Sequence, residues 1–490
     1  MRRTGIEFNR HDYEYDVYSL VKAFIPEEEV VSFYSGETPA GDFDRLFRVL
    51  YGDGGYTCIV EEQGGETLRK QVELASPEDR FATKNLLKQT VYRIFSELTG
   101  RTLPWGTLTG IRPVKLAMHP LEEGQDREEI AAGLRDAYFL SEEKTNLAID
   151  IAVREREILR GMDYKNGYSL YVGIPFCPSI CLYCSFGSHP LKKWRKRVDE
   201  YLDCLVREIA FTARHFSDKN LQSIYIGGGT PTSLTASQLD RVLEEIATRF
   251  PMDNVREFTV EAGRPDTITE EKLAVIRRYP VSRISINPQT MNQETLDLVG
   301  RGHTVQEIVD TFHMARGLGF DNINMDLIVG LPGEGYKEVA NTLKQIRELE
   351  PDSLTVHSLA LKRAARLNLF RDQYREISFA NSQEIMSLCE QTAAGMGMNP
   401  YYLYRQKNMA GNFENVGYAK TGKEGIYNIL IMEEVQTIVA CGAGSVSKRV
   451  YPDGRIERSE NVKDVSQYIE RIGEMIERKK HLLCDCRLDF

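Results

Sequence analysis

The sequence contains no unbroken apolar stretch of the length a bilayer-spanning helix needs, so a membrane span is not expected. Its opening, MRRTGIEFNRHDYEYD, carries basic residues but no apolar segment behind them; no secretory signal is read and a cytoplasmic location is expected. No internal repeat and no low-complexity tract is present, which sets aside repeat architectures. Positive charge is not in excess either. The 62 Lys and Arg against 72 Asp and Glu leave a net charge of −10, so nucleic acid is not an expected partner. The nine cysteines are odd in number and irregularly spaced; in a reducing compartment they fit metal or catalytic roles better than a disulfide framework.

The composition, 42% hydrophobic and 27% charged over 490 residues, is that of a globular chain too long for one ordinary core. The runs LFRVLY and YTCIVEE, with the turn-forming GDGG and QGG, read as strands near the start. From Phe81 to about Met162 apolar residues recur at three and four, as in NLLKQTVYRIFSEL and TNLAIDIAVREREILRGM, which predicts helices. An N-terminal α+β accessory region is therefore expected over 1–163, with LPWGTLTGIRPVK as a structured loop within it. From 164 to 370 the rhythm changes. The strand candidates YSLYVGIPF, LQSIYIGG, EFTVEA, RISINPQ, NINMDLIVG and SLTVHSLA alternate with amphipathic helices such as VDEYLDCLVREIAFTAR. Six β-then-α units in series imply an α/β fold with a parallel sheet, either doubly wound or a full or partial barrel. Beyond that the alternation stops, and 371–490 reads as a mixed C-terminal domain ending in the helix VSQYIERIGEMIERKK.

Directly after the first strand of the series comes CPSICLYC, which places Cys177, Cys181 and Cys184 at C-x3-C-x2-C spacing. Three thiolates this close on one loop can ligate three irons of a single [4Fe–4S] cluster and leave the fourth open to a small molecule. Buried structural cysteines or part of a zinc site are the alternatives. A zinc site would want a fourth Cys or His at finger-like spacing, and His189 is the nearest in sequence. Cys58, Cys204, Cys389 and Cys441 read as ordinary buried residues, and Cys484 and Cys486 as tail thiols.

In a parallel α/β fold the chemistry gathers at the carboxyl ends of the strands, and the remaining motifs fall there. Gly227, Gly228 and Gly229 end the second strand, where the missing side chains let backbone approach a ligand, or simply make a turn before Pro231. Glu261 and Asp326 suit ribose hydroxyls or an ammonium group, but serve equally as helix caps. Gln289 can donate and accept, and Arg301 can grip a carboxylate or make a surface ion pair. Tyr183 offers an aromatic face for a base or for the core. Lys192, Lys193, Arg195 and Arg197 just past the cysteine loop, and Arg405 in YYLYRQKN, are the nearest cations for a carboxylate-bearing substrate; the first group also reads as a solvated helix start.

The cysteine motif is the signature of radical S-adenosylmethionine (SAM) enzymes. Together with IGGGTPT, SINPQ, RGHT, NMDLIVGLPGE and GAGSVS, it resembles the oxygen-independent coproporphyrinogen III oxidase group (the HemN, HemW and HemZ proteins) over roughly 165–450. WGTLTGIRPVK and YYLYRQKNMAGNFENVGYAK most resemble its HemZ branch. The resemblance implies a partial (β/α)6 barrel of radical SAM type, a [4Fe–4S] cluster on the three cysteines, and SAM. It also implies a tetrapyrrole substrate, an electron donor as partner, and oxidative decarboxylation of propionates to vinyl groups in heme biosynthesis. Carried over position by position, it implies SAM contacts for Tyr171, Tyr183, Gly228, Gly229, Thr230, Glu261, Gln289, Arg301, Asp326, Ala360 and Val446. Two positions depart from HemN. Phe186 stands where HemN has a further cysteine, and Gly173 where HemN and HemW have histidine. Heme carriage, the role of HemW proteins, or a radical SAM reaction on another substrate therefore stays open beside decarboxylation.

Overall fold

A computed structural model describes residues 2–37, 39–52, 54–64, 67–73, 78–110, 112–184, 188–360, 381–406 and 412–483. Two compact units emerge, Met1–Val153 with Tyr404–Glu414, and Arg154–Leu403 with Asn415–Phe490. No described helix is long and apolar enough to cross a membrane.

In the first unit, five strands stand in the order β2-β1-β3-β4-β5: β1 (Arg3–Phe8), β2 (Glu29–Tyr34), β3 (Arg45–Gly52), β4 (Gly55–Glu62) and β5 (Thr67–Glu73). Alternation along β3 turns Phe47 and Val49 inward, and they meet the apolar faces of the helices Glu14–Phe24 and Arg80–Thr99. On those helices Val17, Leu20, Val21 and Phe24, and Leu87, Val91, Ile94 and Phe95, supply the buried stripe. Asp79 starts the second helix by accepting the amides of Phe81 and Ala82. A buried polar knot sits in the same unit. Glu414, 1% exposed, accepts from Trp105 Nε1 at 2.6 Å and Lys144 Nζ at 2.8 Å.

The second unit carries one sheet of eleven strands. These are β6 (Gly167–Ile174), β9 (Asn220–Gly228), β10 (Glu257–Gly263), β11 (Arg283–Ile286), β12 (Ile323–Val329), β13 (Ser353–Ser358), β14 (Asn399–Tyr404), β15 (Asn415–Ala419), β16 (Thr437–Cys441), β17 (Val446–Val450) and β18 (Ile456–Glu460). A separate pair, β7 (Phe176–Cys177) with β8 (His189–Pro190), closes the cysteine loop. All six expected strands appear, and β6, β9, β10, β11, β12 and β13 pair in parallel in that order. Their near-continuous burial explains why they read as apolar runs. Among the described residues the linear strand order leaves the sheet open, so the architecture there is a mixed α/β fold without a closed barrel.

Residues 371–490, expected as a separate mixed domain, supply strands at both edges of this same sheet. β15 adds antiparallel to β13, while β16 adds parallel to β6, with Thr437 opposite Tyr168, and leads on to β17 and β18. The expected terminal helix is two helices, Val465–Glu470 and Ile472–Leu483, because Arg471 leaves helical geometry. Between strands the crossover helices start on sequence-readable caps. Thr235 with Gln238, and Thr304 with Glu307, each form a reciprocal capping box.

Candidate functional site

Parallel pairing brings the carboxyl ends of six strands to one edge, and the cysteine loop leaves from the first of them. Ile174 ends β6, Gly228 ends β9, and the two are register partners. Here the triple glycine has a structural use. A Cβ on Gly229 would lie 2.6 Å from the Phe176 carbonyl oxygen, and Gly228 has φ +109°. The Gly229 and Thr230 amides donate to the carbonyls of Ile174 and Phe176 at 2.7 and 2.8 Å. Thr230 Oγ1 then stands 3.4 Å from Cys177 Sγ. The glycines thus fasten the chain that presents the first cysteine.

The loop is anchored on its far side too. The Leu182 amide donates to the Val299 carbonyl at 2.9 Å, and Leu182 packs with Val299, Ile328, Leu331 and Leu359 in a small apolar cluster on the rim. Cys177 and Cys181 are buried and Cys184 is half-buried, with its Sγ 3.8 Å from Ser188 Oγ. Burial pushes the Cys177 thiol above its ordinary range, although Thr230 opposes the shift. Among the described residues no three Cys, His, Asp or Glu side chains converge on one metal ion. Three thiols that each meet a different corner of a four-iron cube need not converge so tightly.

Arg264, which carries no motif in the sequence, sits beneath this loop. It is 4% exposed and grips both Asp266 oxygens, Nε to Oδ1 at 2.9 Å and Nη2 to Oδ2 at 2.7 Å. Its Nη1 donates to Ser179 Oγ at 2.8 Å and to Cys181 Sγ at 3.6 Å. The Arg264-Pro265-Asp266 run was the available signal, since an arginine two residues from an aspartate can close such a fork.

Further round the rim the expected carboxylates stand in opposite electrostatic states. Burial raises the Glu261 carboxyl to about 7, with the Asp326 charge adding to the effect and a hydrogen bond from the Tyr225 hydroxyl opposing it. Burial also works against Asp326, but His357, Asn324 and Arg283 outweigh it and hold Asp326 below the ordinary carboxylate range. Asn324, which opens the NMDLIVGLPGE motif but is given no role of its own by the resemblance, orients it. Asn324 Nδ2 donates to Asp326 Oδ1 at 2.7 Å and to Ser285 Oγ at 2.9 Å, while Ser353 and Thr355 donate to its Oδ1. Alternation in NINMDL puts Asn324 and Asp326 on one face, as the β period requires.

Gln289 lies just beyond β11 in a backbone conformation unusual for a residue with a side chain, φ +67°. It is locked there by its amide donating to the Asp326 carbonyl and its own carbonyl accepting from Ile328, both at 2.9 Å. Yet its side-chain Oε1 is buried without a hydrogen-bond partner among the described residues, as is Arg301 Nε. Arg301 otherwise donates to Tyr183 Oη at 2.9 Å and to the Asn287 carbonyl. Tyr183 is thereby brought from the cysteine loop to the end of β11. Tyr171 on β6 stacks at 6.3 Å with Tyr225 and 6.1 Å with Tyr427. Ala360 follows β13 by two residues and Val446 opens β17, two strands from β6.

The remaining expectations fare differently. Arg405 is buried and occupied, donating to the Leu108 carbonyl at 2.6 Å and to Asn412, with its guanidinium over the Trp105 ring at 5.2 Å. It is not displayed for a substrate. Lys192, Lys193 and Arg195 are exposed, and Arg197 pairs with Glu200 at 3.0 Å. His189 Nε2 donates to the Lys463 carbonyl at 3.3 Å, and its ring packs edge-on against Trp194. Phe186, Cys484 and Cys486 lie outside the described residues.

Comparison with known proteins gives a consistent set of likenesses. The radical SAM superfamily pattern matches residues 171–346. The oxygen-independent coproporphyrinogen-III oxidase-like protein HemZ of Bacillus subtilis is 42% identical over 466 residues, covering 92% of this chain and 92% of its own length. The heme chaperone HemW of the same organism is 32% identical over 308 residues, 62% of this chain and 76% of its own. Among solved structures, coproporphyrinogen III oxidase (HemN) from Escherichia coli superposes with a TM-score of 0.50 at 24% identity, over 64% of this chain and 70% of that one, a likeness of fold.

Proposed function

The chain belongs to the radical SAM superfamily, in its oxygen-independent coproporphyrinogen-III oxidase-like group, and from that premise we propose that it oxidatively decarboxylates propionate side chains of coproporphyrinogen III to vinyl groups. Membership carries the superfamily's two cofactors, a [4Fe–4S] cluster and SAM. The residues at the rim fit both. Three thiols on one anchored loop suit three irons, and the stranded Gln289 Oε1 and Arg301 Nε are buried polar atoms that want a ligand. That pair of orphans, on the strand-end rim that also carries Glu261 and Asp326, is the observation that carries the reading.

In this reading Cys177, Cys181 and Cys184 hold the cluster, and Thr230, Gly228 and Gly229 keep the first of them in place. Gln289, Arg301, Glu261 and Asp326 meet the polar groups of SAM, with Tyr183, Tyr171, Ala360 and Val446 completing its surroundings. Bound together, the cofactors supply a carbon-centred radical able to remove hydrogen from an unactivated carbon. The residues' task is to orient SAM and exclude water, so that the radical meets only substrate. The substrate balance is simple: each propionate loses a hydrogen atom from its β-carbon, CO2 and one electron, and a vinyl group remains. Two such losses give protoporphyrinogen IX.

Carriage of heme is the second reading, favoured by the likeness to HemW over 308 residues. One anaerobic experiment separates the two. With SAM, a reductant and an electron acceptor, coproporphyrinogen III should stimulate 5′-deoxyadenosine formation with CO2 released in step. Stoichiometric hemin binding with no vinyl product would replace decarboxylation by carriage.

A further inference from the structure

The cysteine loop is held by backbone bonds from Gly229, Thr230 and Leu182, and Arg264 adds an anchor at the Ser179 carbonyl. Arg264 also brings a full charge there. Its Nη1 reaches Cys181 Sγ at 3.6 Å and also donates to Ser179 Oγ at 2.8 Å and to the Ser179 carbonyl at 3.3 Å, while Asp266 fixes the guanidinium plane through two parallel bonds. Behind Asp266 stands His303, 2% exposed, with Nδ1 3.7 Å from Asp266 Oδ1. A lysine could not make this arrangement. Only the planar fork holds a carboxylate on one edge and offers an N–H to sulfur on another. The bidentate aspartate keeps the donor from turning away, as outer partners of metal ligands do.

We propose that Arg264, set by Asp266, is a positioning residue that raises the reduction potential of the cluster through a charge-assisted N–H donation to the Cys181 thiolate. Reduction adds one electron, taken from the external donor, to a cluster whose thiolates already carry negative charge. A fixed cation and N–H donor at one thiolate stabilise the reduced state more than the oxidised one, so the potential rises. The inference rests on the assignment of Cys177, Cys181 and Cys184 to the cluster. It holds whether the chain decarboxylates or carries heme.

The test is an EPR-monitored redox titration of the reconstituted protein without SAM, with iron counted in every sample. Arg264→Gln combined with Asp266→Asn removes both charges without stranding either, and its midpoint should move to a more negative potential while the iron content stays at the wild-type value. Fe–S stretching bands in resonance Raman spectra should shift with it, since a hydrogen bond to sulfur is lost. Ser179→Ala, which trims a contact to Arg264 but leaves the N–H near Cys181, should leave the potential where it was. Arg264→Lys keeps the charge but loses the fork, and should show a smaller negative shift; it serves if the double variant does not hold its cluster. An unchanged midpoint with iron intact overturns the role of Arg264 alone. Wild-type protein without iron overturns the cluster assignment and this inference with it.

Discussion

Lowering the pH from 8 to 6 should weaken SAM binding about tenfold, and Glu261 is the reason. Its carboxyl stands at about 7 against an ordinary 4.5, chiefly through burial, with the Asp326 charge adding to the rise. If Glu261 meets SAM as a carboxylate, then below about pH 7 a proton must leave before the contact forms. Each further pH unit costs a factor of ten, or about 1.4 kcal/mol. Above about 7 the group is already ionised and affinity levels off. Asp326, held low, titrates outside this window. Anaerobic calorimetry in two buffers of different ionisation heat reads both quantities. Close to one proton should be released per SAM bound at pH 6, and almost none at pH 8. Glu261→Gln should bind more weakly and without the slope. For folding the linkage runs the other way. A raised carboxyl contributes stability that is complete below its unfolded value and lost as the pH climbs through about 7. Glu261→Gln should therefore stabilise the SAM-free protein at pH 8, by at most about 3 kcal/mol. A flat wild-type affinity refutes the assignment. A slope that persists in Glu261→Gln transfers it to another group.

Replacing Cys177, Cys181 or Cys184 by Ala should abolish the cluster as read by iron and sulfide content, while Cys204→Ala, whose sulfur faces the Ile469 carbonyl at 3.7 Å, should retain it; stoichiometric zinc with no iron in anaerobically purified protein would contradict the assignment. Gln289→Ala removes a side-chain oxygen that has no hydrogen-bond partner among the described residues, so urea unfolding should barely change while SAM affinity falls by ~1–3 kcal/mol. Equal losses in both measurements would make Gln289 structural. Glu414→Ala strands Trp105 Nε1 and leaves the buried Lys144 ammonium with only the more exposed Glu143 at 3.0 Å, and should destabilise the first unit by about 3 kcal/mol in tryptophan-monitored denaturation, with iron content unaffected.

The sequence revealed what local pattern encodes. β6, β9, β10, β11, β12 and β13 are apolar runs because they are buried on both faces, and that burial is written in consecutive residues. β16 is equally apolar, TIVAC, but nothing within it says that it pairs in parallel with Gly167–Ile174, because that choice belongs to the whole sheet. The break at 370/371 seemed a domain boundary for the same reason: the alternation ended there, while the sheet continued. Arg405 failed as a substrate cation because its partners, Leu108 and Trp105, come from a segment almost three hundred residues earlier.

At the rim the limits of motif reading are chemical rather than topological. A glycine-rich turn is consistent both with ligand approach and with chain approach, and the spacing cannot separate them. The structure shows the second use in full, since the Gly229 and Thr230 amides are spent on Ile174 and Phe176. If these residues also meet SAM, they do so through groups those bonds leave over. Conversely, among the residues expected to contact SAM, the buried side-chain atoms without a partner among the described residues belong to Gln289 and Arg301, of which the second would by type alone pass for a surface ion pair. Burying a polar atom without a partner costs free energy that selection of a fold alone would remove. Gln289 adds to that cost a left-handed backbone, held by bonds to Asp326 and Ile328. Two costs at one residue, beside one carboxylate raised and one lowered, are best explained by a ligand whose binding repays them. That is a physical argument for a ligand at Gln289, independent of any likeness in sequence, and if that ligand is SAM the flat stability with lowered affinity expected of Gln289→Ala is its direct consequence.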